Sequence, residues 1–380
     1  MSFELGENDA LLIVGASENL ADLYYATRFR APDAFVFLWT AEEKILLASN
    51  LELDRAREQA AVDRVLSHTD YEDKARAAGC QQPSANDVLQ ALLADLDLSR
   101  LLVPSDFPLG TADFLRAAGL SLQVAANPLF PQRQIKSEEE VEAIHRAQQA
   151  AEAGMTAALA MLKEASIKNG ILMHDGAPLS SERVRRAIHL ALMELGCTAR
   201  HTIVAGGEQG CDPHQEGHGP LRAGEPIIID IFPSDDHSGY FGDITRTFVK
   251  GPVSDSIRAL YEAVLQAQET ALKQIKAGAD GSAIHAGVLE HFSAKGYATG
   301  KKDGYMQGYF HGTGHGLGLE IHEGPRISLR GDTLREGQVV TVEPGLYYRG
   351  LGGVRIEDTV VVRANGYDNL TSFPKELEVL

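Results

Sequence analysis

The chain has 380 residues, of which 44% are hydrophobic and 23% charged, and its formal net charge is −18. This length suggests two domains or one large one, and the acidic balance argues against nucleic-acid binding, which requires a basic surface. With no signal peptide, no apolar run near the N-terminus long enough to cross a bilayer and no CxxC among three cysteines, we expect a cytoplasmic protein that does not associate with membranes.

The N-terminal third alternates short apolar runs with amphipathic segments. The apolar runs predict strands at residues 11–14, 34–39, 44–48 and 101–103. Apolar residues spaced by three and four predict helices at residues 53–66, 84–96 and 111–118. This alternation favours an α/β domain. Residues 127–134 (NPLFPQRQ) break the pattern with two prolines, so we place the domain boundary there and predict domains 1–131 and 132–380.

A capping box opens the second domain, because Ser137 and Glu140 can satisfy the first free N–H groups of a helix. An apolar stripe continues this helix to Leu162. Polar starts and glycine stops predict two further helices at residues 181–195 and 254–275. Apolar runs predict strands at residues 226–232, 244–249, 338–342 and 353–363. These patterns therefore predict a mixed α/β (α+β) protein.

Four carboxylates interrupt or end these apolar strands: Asp230, Asp243, Glu343 and Glu357. A buried carboxylate is costly unless it is paired with a cation, and Arg246 and Arg355 could neutralise only two of them. Two divalent cations would balance four carboxylates, so the pattern favours a dinuclear metal site. The alternative is that each acid caps a turn or forms a surface ion pair. That is the usual fate of a single acid, but it accounts poorly for four in apolar strands.

Three histidines occur in the glycine-rich stretch 311–323 (HGTGHGLGLEIHE): His311, His315 and His322. So many glycines do not support a helix, and we expect extended or bent chain whose backbone can approach a metal or substrate closely. In a regular strand His315 and His322, seven positions apart, would point to opposite faces. If both serve one site, the chain must bend between them.

Taken in order, Asp230, Asp243, His315, Glu343 and Glu357 resemble the five-ligand set of the M24 metallopeptidases, a family with the pita-bread fold. The resemblance rests on residues 239–248 (GYFGDITRTF), 314–323 (GHGLGLEIHE), 341–345 (TVEPG) and 353–358 (GVRIED). The presence of an N-terminal domain, residues 22–30 (DLYYATRFR) and the arginine in RIED are similar to the Xaa-Pro branch of the family. The resemblance implies a creatinase-like N-terminal α/β domain followed by a pita-bread catalytic domain.

The resemblance also implies a cofactor of two divalent metal ions. Asp230 would bind one ion, His315 and Glu343 the other, and Asp243 and Glu357 would bridge them. Carboxylate oxygens with one imidazole suit Mn²⁺, Co²⁺, Zn²⁺ or Fe²⁺, and the family favours Mn²⁺.

Further roles are implied for residues around the ions. Glu343 would move a proton from water to the leaving amine, and His214 and His322 would be catalytic hydrogen-bond donors. His311, His322 and Arg355 would contact the substrate. By its distance from Leu221 and Gly224, His214 fits the upstream histidine of the family better than His218 does.

The activity implied is hydrolysis of the N-terminal Xaa-Pro bond of peptides, as in aminopeptidase P, by a homodimeric metallo-exopeptidase. One alternative is a prolidase, which is an Xaa-Pro dipeptidase, and another is an aminopeptidase without strict proline preference. These stay open because residues 206–218 and 233–238 depart from the family pattern. A metal-free creatinase-like hydrolase or binding protein is a further alternative, against which the intact ligand set argues.

Overall fold

The computed structural model describes residues 5–380. Contacts between Cα atoms divide the chain into two units, Met1–Arg133 and Gln134–Leu380. In the described part of the chain, no helix is both long enough and apolar enough to span a membrane.

The first unit is built on one mixed sheet. Its strands are β1 (Asp9–Gly15), β2 (Phe35–Trp39), β3 (Lys44–Ala48), β4 (Arg64–Ser67), β5 (Arg100–Val103) and β6 (Ser121–Val124). Its helices are α1 (Ala21–Thr27), α2 (Leu53–Gln59), α3 (His68–Ala77), α4 (Ala85–Asp95) and α5 (Leu109–Ala117). The strands lie in the order β4-β3-β2-β1-β5-β6, and apolar clusters form on both faces, as expected for an α/β layer.

The predicted helix at residues 53–66 is wrong in its second half. α2 ends at Gln59, and the chain then forms β4, which pairs in parallel with β3. Val65 and Leu66 are half-buried against the clusters on the two faces of the sheet. Two apolar residues in a short strand also satisfy a helical spacing, so periodicity alone did not separate the two elements.

The second unit contains the long helix α6 (Glu138–Glu164) and the helices α7 (Ser181–Glu194), α8 (Asp255–Leu272) and α9 (Gly281–Ala294). Its first strands are β7 (Ser166–Lys168), β8 (Ile171–His174), β9 (Ala177–Pro178), β10 (Cys197–Thr198), β11 (Ile203–Gly206), β12 (Ile227–Ile231), β13 (Ser234–Asp235) and β14 (Ile244–Lys250). The later strands are β15 (Gly300–Lys302), β16 (Tyr305–Gln307), β17 (Gly314–Gly316), β18 (Glu323–Ile327), β19 (Val339–Val342), β20 (Gly345–Tyr348), β21 (Gly352–Arg355), β22 (Asp358–Arg363), β23 (Gly366–Asn369) and β24 (Glu378–Val379).

Three sheets of this unit position the candidate site. One has four strands in the order β11-β12-β14-β24, one has five in the order β18-β17-β19-β22-β23, and β20 pairs with β21 alone. The buried face of α6 packs against the four-stranded sheet through an apolar cluster that includes Met155 and Ile229. The capping box predicted at Ser137 and Glu140 is confirmed at the start of α6.

The prediction of one strand at residues 353–363 is also wrong. The segment forms β21 and β22, which belong to different sheets and are separated by Ile356 and Glu357. The Glu357 N–H donates to the Thr245 carbonyl at 3.1 Å, so the backbone turns toward β14 at this point. Ile356 remains fully buried, which explains why the apolar pattern runs through the break.

Candidate metal centre

Donor side chains from different sheets meet in one cavity of about 910 Å³. Asp230 lies on β12, and Asp243 immediately precedes β14 in the same sheet. The five-stranded sheet supplies His315 on β17 and Glu343 just after β19, and Glu357 lies between β21 and β22. All five line the cavity, whose volume is within the range of small-molecule sites, about 300–1,000 Å³.

The tightest group consists of Asp243, His315 and Glu357, whose donor atoms all lie within 4.8 Å of one another. His315 Nε2 is 3.7 Å from Asp243 Oδ2 and 3.5 Å from Glu343 Oε1, which is too long for good hydrogen bonds. His315 Nδ1 lies 3.1 Å from the Gly316 carbonyl oxygen. Because that oxygen can only accept, Nδ1 carries the proton and Nε2 directs a lone pair toward the carboxylates. A cation fits between these donors.

Three of the carboxylates have no cationic partner. No lysine or arginine of residues 5–380 lies within ion-pair distance of Asp243, Glu343 or Glu357. Burial raises the pKa of Asp243 and Glu357 well above the usual range, and neighbouring carboxylates raise both pKa values further. Burial also raises the pKa of Glu343 to about 7. Such a cluster is stabilised when divalent cations neutralise it.

Asp230 is the carboxylate with an arginine partner. Arg355 Nη2 donates to Asp230 Oδ2 at 2.6 Å. Asp230 Oδ1 is buried and has no hydrogen-bond partner within the described chain, so this oxygen remains available to a cation. Arg246, the other arginine considered from the sequence, pairs with Asp358 at 2.9 Å and does not line the cavity.

His311 lies on the cavity wall with both ring nitrogens engaged. Nδ1 lies 2.8 Å from the Gly312 carbonyl oxygen, and Nε2 lies 2.8 Å from the Tyr347 hydroxyl. Arg355 Nη1 donates to the same hydroxyl at 2.9 Å, so the tyrosine proton points to His311. Burial lowers the pKa of His311 to about 3, and the ring is therefore neutral. Tyr347 thus joins two residues that the sequence placed in the site.

His322 and His214 also line the cavity. The rings of His315 and His322 meet edge to face with centroids 4.5 Å apart, because the chain bends between β17 and β18. His214 is carried by a loop that follows a 3₁₀ turn, Gly207–Cys211. The Gln209 side chain bonds both the N–H and the carbonyl of His218 in this loop, at 2.8 and 3.0 Å. His218 itself does not line the cavity.

The glycines on either side of His315 allow close contact with neighbouring strands. A Cβ atom at Gly314 would lie 1.9 Å from the Thr341 carbonyl oxygen, and one at Gly316 would lie 2.1 Å from the Gly324 carbonyl oxygen. The close approach that these two glycines permit is therefore to the neighbouring chain segments. It holds β17 tightly between β18 and β19 and so fixes His315.

The sequence missed several residues of the cavity wall. The apolar ones are Ile203, Phe232, Phe310 and Ile321, and the polar ones include His201, Asp212, Glu216, Arg326 and Ser328. Most of them lie in loops, where no periodicity marks them. Arg326 on β18 lies opposite His315 on β17 in the antiparallel pair. A hairpin predicted after the histidine stretch would therefore have placed Arg326 near the site.

The two stretches that depart from the family pattern differ in their relation to the cavity. Residues 206–218 contribute Asp212, Pro213, His214 and Glu216 to its wall. Residues 233–238 contribute none, since their strand β13 pairs with β10 instead. The first stretch is therefore the one placed to affect substrate preference.

Comparison with known proteins gives consistent matches. The sequence model of metallopeptidase family M24 matches residues 142–364. A protein of Bacillus subtilis (strain 168) that is named as a dipeptidase by assignment, YkvY, is 30% identical over 91% of this chain and 88% of its own length. The Xaa-Pro dipeptidase of Pyrococcus furiosus is 36% identical over 64% of this chain and 65% of its own length. The crystal structure of X-Pro aminopeptidase from Thermotoga maritima MSB8 superposes with a TM-score of 0.81 and 26% identity, covering 98% of this chain and 97% of that one.

Proposed function

Since this chain belongs to metallopeptidase family M24, we propose that it hydrolyses the bond between the N-terminal residue of a peptide and a following proline. Membership confirms the pita-bread fold and the metallopeptidase class expected from the sequence. The observation that carries the proposal is that every site residue predicted from the sequence lines the same cavity.

The donor set suits two divalent metal ions. One ion would be held by Asp230, and the other ion by His315 and Glu343. Both ions would be held by Asp243 and Glu357. Such ions, when bound, lower the pKa of water and polarise the amide carbonyl that it attacks. Oxygen donors with a single imidazole suit Mn²⁺, Co²⁺, Zn²⁺ or Fe²⁺, and we propose Mn²⁺.

The protein's own groups then bind and orient the peptide. Glu343 is less buried than Asp243 and Glu357, so its carboxylate is the one placed to receive a proton from water and pass it to the proline nitrogen. His322 and His214 face the cavity and supply hydrogen-bond donors for the carbonyl oxygen as negative charge develops on it.

The apolar part of the cavity supports the proline preference. Ile203, Phe232, Phe310 and Ile321 present hydrocarbon to the same space as the candidate metal ligands. A pyrrolidine ring is apolar and has no N–H to satisfy once it is acylated, so burial against these side chains carries little desolvation cost. Similar proteins are named Xaa-Pro dipeptidase and X-Pro aminopeptidase, in agreement with this preference.

One observation favours dipeptides as substrates. Arg326 lines the cavity, and its guanidinium makes no hydrogen bond or ion pair within the described residues. A guanidinium in this position can bind a carboxylate with two parallel hydrogen bonds. In a dipeptide the C-terminal carboxylate lies on the proline itself, close to the scissile bond, whereas in a longer peptide it lies farther away. Arg326 therefore supports an Xaa-Pro dipeptidase over an aminopeptidase P.

The test is a product analysis of purified protein supplied with Mn²⁺. The panel contains Xaa-Pro dipeptides, Xaa-Pro-Yaa tripeptides and the same peptides with alanine in place of proline, and mass spectrometry detects the released residues. Cleavage restricted to proline-containing members supports the proposal, and preference for the dipeptides supports the dipeptidase. Equal cleavage of alanine peptides would replace it with a broader aminopeptidase. A metal analysis of the purified protein before Mn²⁺ is added tests the metal-free alternative, which requires protein without bound ions.

A further inference from the structure

Glu357 receives a hydrogen bond from a residue outside the predicted site. Thr245 Oγ1 lies 2.7 Å from Glu357 Oε2 and 3.3 Å from Arg355 Nε. Because the arginine Nε–H can only donate, the hydroxyl accepts from Arg355, and its single proton points to Glu357. Within residues 5–380, no other group donates a hydrogen bond to this carboxylate.

Water does not compete for this contact. Thr245 is 0% exposed, Glu357 2% and Arg355 3%. A hydrogen bond to a charged oxygen in such surroundings is stronger than one between neutral groups. Glu357 lies between β21 and β22 and belongs to neither strand. The hydrogen bond from Thr245 therefore fixes the plane of its carboxylate.

The backbone at this point is held independently of the hydroxyl. The Thr245 carbonyl accepts from the Glu357 N–H at 3.1 Å and from Arg246 Nη1 at 2.9 Å. The place of Glu357 in the fold therefore does not depend on the Thr245 side chain. What the hydroxyl adds is the orientation of the carboxylate.

We propose that Thr245 is a positioning residue, whose hydroxyl orients the Glu357 carboxylate for metal binding and couples it to Arg355. The inference rests on the proposed function, since it requires that the site binds divalent ions. Through Arg355 the coupling reaches Asp230, so one hydroxyl connects carboxylates assigned to different ions. Removing such a partner of a metal ligand typically weakens metal binding about 10- to 100-fold.

Thr247 provides a matched control. It lies two positions along the same strand, β14, on the same face as Thr245, and is 1% exposed. Its hydroxyl donates to the Arg355 carbonyl at 2.9 Å and accepts from the Arg355 N–H at 3.0 Å. It therefore makes two buried hydrogen bonds to the same neighbour without contacting a carboxylate.

The experiment measures Mn²⁺ affinity, with no substrate present, by isothermal titration calorimetry on the metal-stripped full chain. The variants are Thr245→Val, Thr245→Ser and Thr247→Val, and thermal unfolding of each metal-stripped variant measures the structural cost. We expect Thr245→Val to weaken Mn²⁺ binding about 10- to 100-fold and Thr245→Ser to restore it. Thr247→Val is expected to bind Mn²⁺ like the wild type, whatever its loss of stability.

Two results would overturn the inference alone. They are unchanged Mn²⁺ affinity in Thr245→Val, and an equal loss of affinity in Thr247→Val. If the wild type binds no divalent ion, the metal site of the proposed function fails as well. If metal binding follows the expected order but no peptide is cleaved, the positioning role of Thr245 stands and only the substrate assignment fails.

Discussion

Arg355 lies 2.6 Å from Asp230, although the two residues belong to different sheets, β21 and β12. Of the four carboxylates that interrupt or end the apolar runs, Asp230 therefore has a cationic partner and the other three have none. The uncompensated three, Asp243, Glu343 and Glu357, surround the lone pair of a neutral imidazole. The arrangement makes divalent cations the natural partners of the cluster, and it leads to predictions for each part of the site.

Neutralising either of the carboxylates proposed to touch both ions should abolish the activity. Asp243→Asn and Glu357→Gln preserve size but remove a negative charge, and metal-dependent charge stabilisation contributes several kcal/mol to such reactions. We expect at least a roughly 100-fold loss of turnover together with loss of bound metal, measured by elemental analysis and peptide hydrolysis.

Asp235→Asn is the control for these two variants. Asp235 is as buried as Asp230, but it accepts hydrogen bonds from Ser238 and the His237 N–H and does not line the cavity. It should keep both ions and full turnover. Full activity in Asp243→Asn or Glu357→Gln would contradict their assignment as shared ligands.

The stabilisation that bound metal gives to the protein should depend on pH in a defined direction. In the metal-free protein, burial raises the pKa of Glu343 from 4.5 to about 7. A carboxyl whose pKa is raised by folding contributes stability that is fully present below its unfolded pKa and is lost as pH rises through its folded pKa. The stability that Glu343 contributes to chelator-treated protein should therefore fall as pH rises from about 4.5 to about 7.

Calorimetric scans of metal-free and Mn²⁺-loaded protein across this pH range test the prediction. The Tm difference between the two forms should widen with pH, because bound cations stabilise the ionised carboxylates. A Tm difference that stays constant or narrows would contradict it.

Arg326 should recognise the free carboxylate of a dipeptide. Hydrogen bonds to charged groups contribute about 1.5–3 kcal/mol, so Arg326→Gln should raise KM for Xaa-Pro dipeptides about 10- to 100-fold. The corresponding C-terminal amides, which lack the carboxylate, should show no such change. Arg330→Gln is the control, since Arg330 is exposed and does not line the cavity. Equal effects on acids and amides would rule out this role.

Tyr347 should matter for stability as well as for the site. Its buried hydroxyl is shared by Arg355 and His311, so Tyr347→Phe leaves Arg355 Nη1 and Nε2 of the half-buried His311 without this partner. We expect a loss of about 1–3 kcal/mol in the free energy of unfolding, measured by urea denaturation. Tyr348→Phe removes a hydrogen bond from the half-buried Tyr348 to the exposed carbonyl of Ala298, and a loss as large in that variant would argue against a special role of Tyr347.

The candidate metal ligands could be predicted from the sequence because each is a local anomaly. A charge such as Asp230 inside IIIDI is visible without any knowledge of tertiary structure. The same holds for histidines in a glycine-rich run, where the chain was expected to bend and does. Local chemistry and the apolar pattern agree at these positions.

Residues whose role depends on contacts distant in sequence could not be predicted in this way. Phe310, Asp212 and Arg326 reach the cavity from separate segments, and no periodicity marks them. The break at Glu357 was hidden because the apolar alternation continues while the chain changes sheets. The end of α2 at Gln59 could not be predicted either, because the apolar residues of the short strand that follows also fit a helical spacing.

The distribution of the donors over sheets has a consequence for the order of folding. Asp230 and Asp243 belong to the four-stranded sheet, whereas His315 and Glu343 belong to the five-stranded one. Pairings between segments so far apart in the chain form slowly, and a partly folded chain with only one of the sheets lacks at least two of the five donors. We therefore expect metal ions to bind late in folding, and because ligands that bind the native state selectively stabilise it, they would stabilise only a chain that is already correctly assembled.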